Sequence, residues 1–211
     1  MSTTTMTPAR EPFAPSAPTN EADDSCWSRI YRLTVEQYDR MVEASILAPE
    51  DRVELIEGLL VTKMGRNRPH IVSGKKTLRV LQGIIPPGWH VAKEDPVLAS
   101  DDSKPEPDIA IVRGREEDYL ERDVSAGDLA LLSEIAESSL HADQNQMKAL
   151  YAASGIPFYW IINLVDRRLE VFSEPEGREY RKAEVFSGDQ DVPVILDGAE
   201  AGRVRVADLL P

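Results

Sequence analysis

The chain has 211 residues, 42% apolar and 29% charged, with a formal net charge of −13. This is the size of one domain with a real core plus a tail, in an ordinary globular composition. The acidic balance excludes a protein held to nucleic acid by bulk charge, because phosphate contacts need local Lys and Arg; it leaves room for a nuclease built on metal ions and one basic patch. The lone Cys26 excludes an internal disulfide, so nothing implies an oxidising compartment. There is no apolar run long enough to span a bilayer and no hydrophobic signal core at the N-terminus. The expectation is a cytoplasmic protein with no membrane partner.

Residues 1–28 hold four prolines, many small residues and an acidic patch at Glu21, Asp23 and Asp24. Such a segment buries too little apolar surface to order itself, which predicts a flexible tail ahead of a domain over 29–211. The domain opens with TVEQYDRMVEASIL, where Thr34 and Gln37 fit a capping box and Val35, Tyr38, Val42 and Ile46 recur at helical spacing. RVELIEGLLVTKM predicts two short strands turning at Glu57–Gly58. Residues 70–83 read as a helix with Ile71, Leu78 and Leu81 on one face, closed by Pro86–Pro87–Gly88; short strands follow at 89–93 and 96–99.

KPEPDIAIV comes next, with Asp108 opening an apolar strand; a polar loop covers 113–127. LALLSEIA, 129–136, is a further strand, interrupted by Glu134. Asp143 and Gln146 fit a second capping box, predicting a helix from there through Ala153 that ends at Gly155–Ile156–Pro157. FYWIINL and RLEVFS are strands joined near Asp166–Arg167, and REYRKAEVF alternates like another. Val192 to Leu210 predicts one or two edge strands, and an exposed edge there would allow a homodimer. The fold class is α/β or α+β, around a mixed sheet.

Two acids stand in odd places. A strand buried on both faces is nearly continuous in apolar residues, and an ionised carboxylate there is costly unless paired or metal-bound. Asp108 alone would read as a turn residue after Pro107, and Glu134 alone as the partner of an arginine. Taken together, they point to a hard divalent cation, which prefers oxygen ligands and relieves the repulsion between carboxylates. On the following helix Lys148 shares a side with Gln144 and Tyr151, whereas Met147, Leu150 and Ser154 pack on the neighbouring face. Lys148 is either a solvated helix residue or a cation that orients a metal-bound water. Asp143 reads as an N-cap, His70 as a packing or phosphate contact, and Tyr151, Tyr159 and Trp160 as core. From Lys63 to Arg79 there are six basic residues and no acid: Lys63, Arg66, Arg68, Lys75, Lys76 and Arg79. Lys75 and Arg79 share a helix face, and a basic stripe beside an acidic metal site suits binding of a DNA backbone.

In their order, RVELIEGLLV, the His70 helix, EPDIAIV, LLSEIAESSL and DQNQMKALYAASGIPFYWIINL resemble the Uma-two restriction-endonuclease family, over about residues 31–174. The specific part is PD before a strand, an acid in the next strand, and D-x4-K-x2-Y-x3-GI-x2-YW. The family in turn resembles the PD-(D/E)XK nucleases. The resemblance implies a restriction-endonuclease-like mixed sheet flanked by helices. It also implies a DNA endonuclease dependent on Mg2+ or Mn2+, with Asp108, Glu134 and the Ile135 carbonyl as metal ligands. Glu54, which otherwise reads as a polar position flanking the first hairpin, is placed near the metal, and Lys148 acts as the catalytic lysine. In the wider fold that lysine stands two residues after the second acid, where this chain has Ala136. The alternative is a catalytically silent nuclease-fold module in nucleic-acid binding or assembly.

Overall fold

Regular structure begins at Thr34 in the computed structural model, which describes residues 30–211; the expected tail, with Cys26, lies outside the described residues. Thr34 Oγ1 accepts the Gln37 N–H at 3.2 Å, and Gln37 Oε1 accepts the Thr34 N–H at 2.9 Å, the expected capping box. It opens α1 (Val35–Glu43). Val35 and Tyr38 are buried, but Val42, in the last turn, and Ile46, beyond the helix end at Glu43, are exposed.

β1 (Val53–Ile56) and β2 (Leu59–Thr62) form an antiparallel hairpin with a two-residue turn at Glu57–Gly58. Both turn residues have positive φ, 48° and 76°, as such a tight hairpin requires. Gly58 is also needed for space: a Cβ there would lie 2.4 Å from Arg32 Cβ.

α2 (Arg68–Gln82) is capped by Asn67, whose side chain accepts the His70 N–H at 3.0 Å. Its buried face is Ser73, Gly74, Thr77 and Leu81, and the Ile71 of the predicted apolar face is 43% exposed. Small residues face inward because the helix lies close against its neighbours: a Cβ on Gly74 would stand 3.3 Å from Ile135 Cδ1.

The strands β3 (Trp89–Ala92), β4 (Val97–Leu98), β5 (Ile109–Arg113), β6 (Val124–Ser125) and β7 (Leu129–Ala136) follow. A helical rod then runs through α3 (Leu140–Ala142), a π-helical turn (Asp143–Met147) and α4 (Lys148–Ala153). It begins at Leu140, so the capping box expected at Asp143 and Gln146 is replaced by a turn inside the helix. Then come β8 (Phe158–Asn163), β9 (Arg168–Glu176), β10 (Glu179–Ser187), β11 (Asp191–Leu196), β12 (Ala199–Arg205) and α5 (Val206–Leu209).

The main sheet has the order β10-β9-β8-β7-β5-β3. All its pairs are antiparallel except β7–β8, which the helical rod connects as a crossover. Alternation along the strands feeds two cores. Ile109, Ile111, Leu131 and Ile135 pack with Leu81 of α2 and Leu209 of α5, and Ala110, Val112, Leu132 and Ala136 pack with Leu150 and Tyr151 of α4. This is a mixed sheet between helices. The C-terminal strands β11 and β12 pair with each other in a separate two-stranded sheet, in which each is an edge strand as expected, and the main sheet ends at β10 and β3. Among the described residues no helix is long and apolar enough to cross a membrane.

Candidate active site

The antiparallel register that pairs Ile109 with Ser133 sets residue 108 opposite residue 134, where β5 starts and β7 runs on. Glu134 Oε2 accepts the Asp108 N–H at 3.2 Å. Asp108 Oδ2 accepts the Ile135 N–H at 2.8 Å and lies 3.1 Å from His70 Nε2. The N–H and C=O of a strand residue share one edge, so the Ile135 carbonyl is directed to the same side as Asp108. Glu134 faces the α4 side of the sheet, where its Oε1 accepts the Tyr151 hydroxyl at 2.8 Å. Glu54 reaches in from β1 and accepts the Glu106 N–H at 3.0 Å. The approach to Asp108 is held straight by Val97 N–H on Pro105 O (2.9 Å) and Glu94 N–H on Pro107 O (3.2 Å).

A cavity of about 250 Å³ collects five acids, Glu54, Glu106, Asp108, Glu134 and Asp143, with Lys63, Arg66 and His70 on its wall. Burial first, then the charge of Asp108, holds the Glu134 carboxyl well above its ordinary range, while the Tyr151 hydroxyl opposes the shift. Burial also raises Glu54, against the pull of the Glu106 N–H and Lys63. Asp143 is pushed up to about 6, by burial first and then by Asp108 and Glu54, with a Ser139 hydrogen bond opposing. Glu106 is paired with Lys63, and the other four acids repel one another, which a divalent cation accommodates. Among the described residues no three acid, His or Cys side chains already stand as a ligand cage. The donor set still fits a hard cation, because it is all oxygen and Asp143 Oδ2 is buried without a hydrogen-bond partner.

The structure brings Asp108, Glu134, Glu54 and Ile135 together but not Lys148. The Lys148 ammonium sits 5.4 Å from the Phe172 ring centroid and 3.8 Å from Glu179 Oε2, and the residue does not line the cavity. Gln144, Lys148 and Tyr151 meet the sheet at three different points: Gln144 reaches Glu170, Lys148 reaches Phe172, and only Tyr151 reaches Glu134.

The basic residues divide. Arg68, Lys75 and Arg79 are exposed along α2. Lys76 is structural: its ammonium donates to the Ala207 carbonyl at 3.3 Å and also to the Leu210 carbonyl, tying α2 to the C-terminus. Arg66 pairs with Glu94 and Lys63 with Glu106. Lys93 is a cation that the sequence reading passed over. It shares a second cavity, about 120 Å³, with Asp108, Ile135, His70 and Lys75. Burial, then Arg66, lowers its pKa, and Asp108 pulls it back. Tyr151, expected as core, is buried and also donates its hydroxyl to Glu134. Asp143 is the aspartate of D-x4-K-x2-Y but was read as an N-cap, since an acid preceding a helix looks like one.

A mixed sheet flanked by helices, with paired acids at the ends of two neighbouring strands, is a nuclease-like architecture. The crystal structure of a "putative nuclease belonging to DUF820" from Anabaena variabilis ATCC 29413 has the same fold, with a TM-score of 0.59 and 19% sequence identity over 84% of this chain and 97% of that one. The chain belongs to the Uma2 family, whose model, described as "Putative restriction endonuclease", matches residues 35–203. Among the curated proteins none matches.

Proposed function

We propose that this chain is a DNA endonuclease that hydrolyses phosphodiester bonds with Mg2+ or Mn2+. The observation that carries the reading is the antiparallel register that sets Asp108 beside Glu134 in an acid-lined cavity. Family membership and the nuclease fold support the same class. Asp108, Glu134 and the Ile135 carbonyl hold the cation. When bound, it supplies Lewis acidity toward the phosphate and a water acidic enough to attack at neutral pH. Tyr151 and the Ile135 N–H orient the two acids by their hydrogen bonds. Lys93, beside Asp108, offsets negative charge developing on the phosphate, the role the resemblance gave to Lys148. Arg68, Lys75 and Arg79 hold the DNA backbone from the exposed face of α2.

Plasmid cleavage with Mg2+ or Mn2+ tests this, comparing the wild type with Asp108→Ala and Glu134→Ala. Cleavage by the wild type alone is expected; equal cleavage by all three refutes the mechanism. A second reading, a silent nuclease-fold module in nucleic-acid binding or assembly, draws on Ala136 and on Lys148 turning to Phe172. It predicts DNA binding without cleavage and no Mg2+ heat that depends on Asp108.

A further inference from the structure

We propose that Asp143 is a further carboxylate ligand of this site and equips it to hold two divalent cations. The inference rests on the metal-dependent reading above and extends it to a residue that the two-strand acid motif does not contain.

All four acids have donors, Asp143 through a Ser139 hydrogen bond. Glu54 takes the Glu106 N–H, Asp108 takes the Ile135 N–H and faces His70, and Glu134 takes the Tyr151 hydroxyl and the Asp108 N–H. Asp143 is only 6% exposed, yet its Oδ2 has no hydrogen-bond partner among the described residues. A buried acceptor left open costs on the order of 1–3 kcal/mol, more when it carries charge. The backbone does not place it there by default. Asp143 begins a π-helical turn between two α-helical pieces, an irregularity frequent at functional sites. That turn sets its carboxylate on the wall of the cavity that Glu54, Asp108 and Glu134 share.

Charge points to the same conclusion. Two cations on the cavity wall are already engaged, Lys63 with Glu106, the fifth acid of the cavity, and Arg66 with Glu94, which leaves the other four acids. Among the described residues none of the four has a Lys or Arg in ion-pair contact, and Asp108 faces the His70 ring at 3.1 Å. One divalent ion would leave the cluster of four carboxylates strongly negative, whereas two would balance it. Hard cations that share a site through oxygen ligands meet this requirement without further protein charge.

Mn2+ titration of the full chain, read by calorimetry and by the electron paramagnetic resonance of free Mn2+, tests the assignment without measuring activity. Two Mn2+ per wild-type chain are expected, and one per chain for Asp143→Asn, which keeps shape but loses charge. Far-UV circular dichroism and the metal-free melting temperature establish that the variant is folded; Asp143→Ser replaces it if it is not. Equal stoichiometry in wild type and variant overturns the role of Asp143 and leaves the endonuclease reading standing. A wild type that binds no Mn2+ overturns both. Asp108→Asn, expected to weaken the first ion at least tenfold, shows which site each variant reports.

Discussion

In the absence of metal, acidification from pH 7.5 to pH 5 stabilises this protein, and Asp143→Asn removes much of the effect. Asp143 has its pKa raised from 3.8 to about 6, by burial first and then by the neighbouring acids. Between those two values the folded state therefore binds more proton than the unfolded state. The stabilisation is complete below about pH 4 and is lost as pH rises through about 6. Over the span from pH 7.5 to 5, Asp143 alone contributes about 1.5 kcal/mol, from 1.36 kcal/mol per pKa unit. For a chain of this length that corresponds to a rise of about 3–6 °C in Tm. Glu134 and Glu54 are raised in the same direction and add to it. Urea denaturation and thermal melts in EDTA at intervals of half a pH unit measure the slope. Saturating Mg2+ flattens it, because the cation then does the work of the proton. A metal-free wild type that loses stability steadily from pH 7.5 to 5, or an Asp143→Asn variant with an unchanged slope, refutes the electrostatic account of the cavity.

Three other outcomes follow from the geometry. Lys148→Ala keeps cleavage within about threefold of the wild type, while Lys93→Met lowers kcat by roughly 10²-fold, as expected for loss of one charge-stabilising group; the reverse order in single-turnover assays would return the catalytic lysine to α4. Tyr151→Phe removes the hydroxyl donor from Glu134, which costs about 1–2 kcal/mol by denaturation and weakens Mn2+ binding roughly 10-fold. Lys75→Ala with Arg79→Ala weakens DNA binding and reduces the slope of log K against log salt by about 2, whereas Lys76→Ala leaves that slope unchanged and lowers Tm, since its ammonium serves the C-terminal carbonyls.

Much of the architecture was legible because local patterns carried it. The Thr34 capping box, the Glu57–Gly58 hairpin turn and the strand LALLSEIA each occur where residue type and spacing placed them. The inward face of α2 was not, because hydrophobic counting selects Ile71 while close packing on the sheet selects Ser73, Gly74 and Thr77. The C-terminal strands were legible as strands but not as a separate hairpin, since alternation says nothing about which partner a strand takes. In the site, Asp108 and Glu134 stood out as acids in apolar runs. Asp143 and Tyr151 did not, one resembling a cap and the other a core residue.

By itself the sequence determined the elements, the acids at the mouths of two strands, and the basic segment from Lys63 to Arg79. Each is a local matter of periodicity, of cost in an apolar run, or of net charge along the chain. Only the tertiary structure decided which groups meet. Register brings Asp108 to Glu134, and a single π turn carries Asp143 into the cavity. Strand placement likewise decides that Tyr151 meets Glu134 while Lys148 meets Phe172. Contacts of this kind depend on strand pairing and on helix phase accumulated over the whole connection, and one inserted residue changes both.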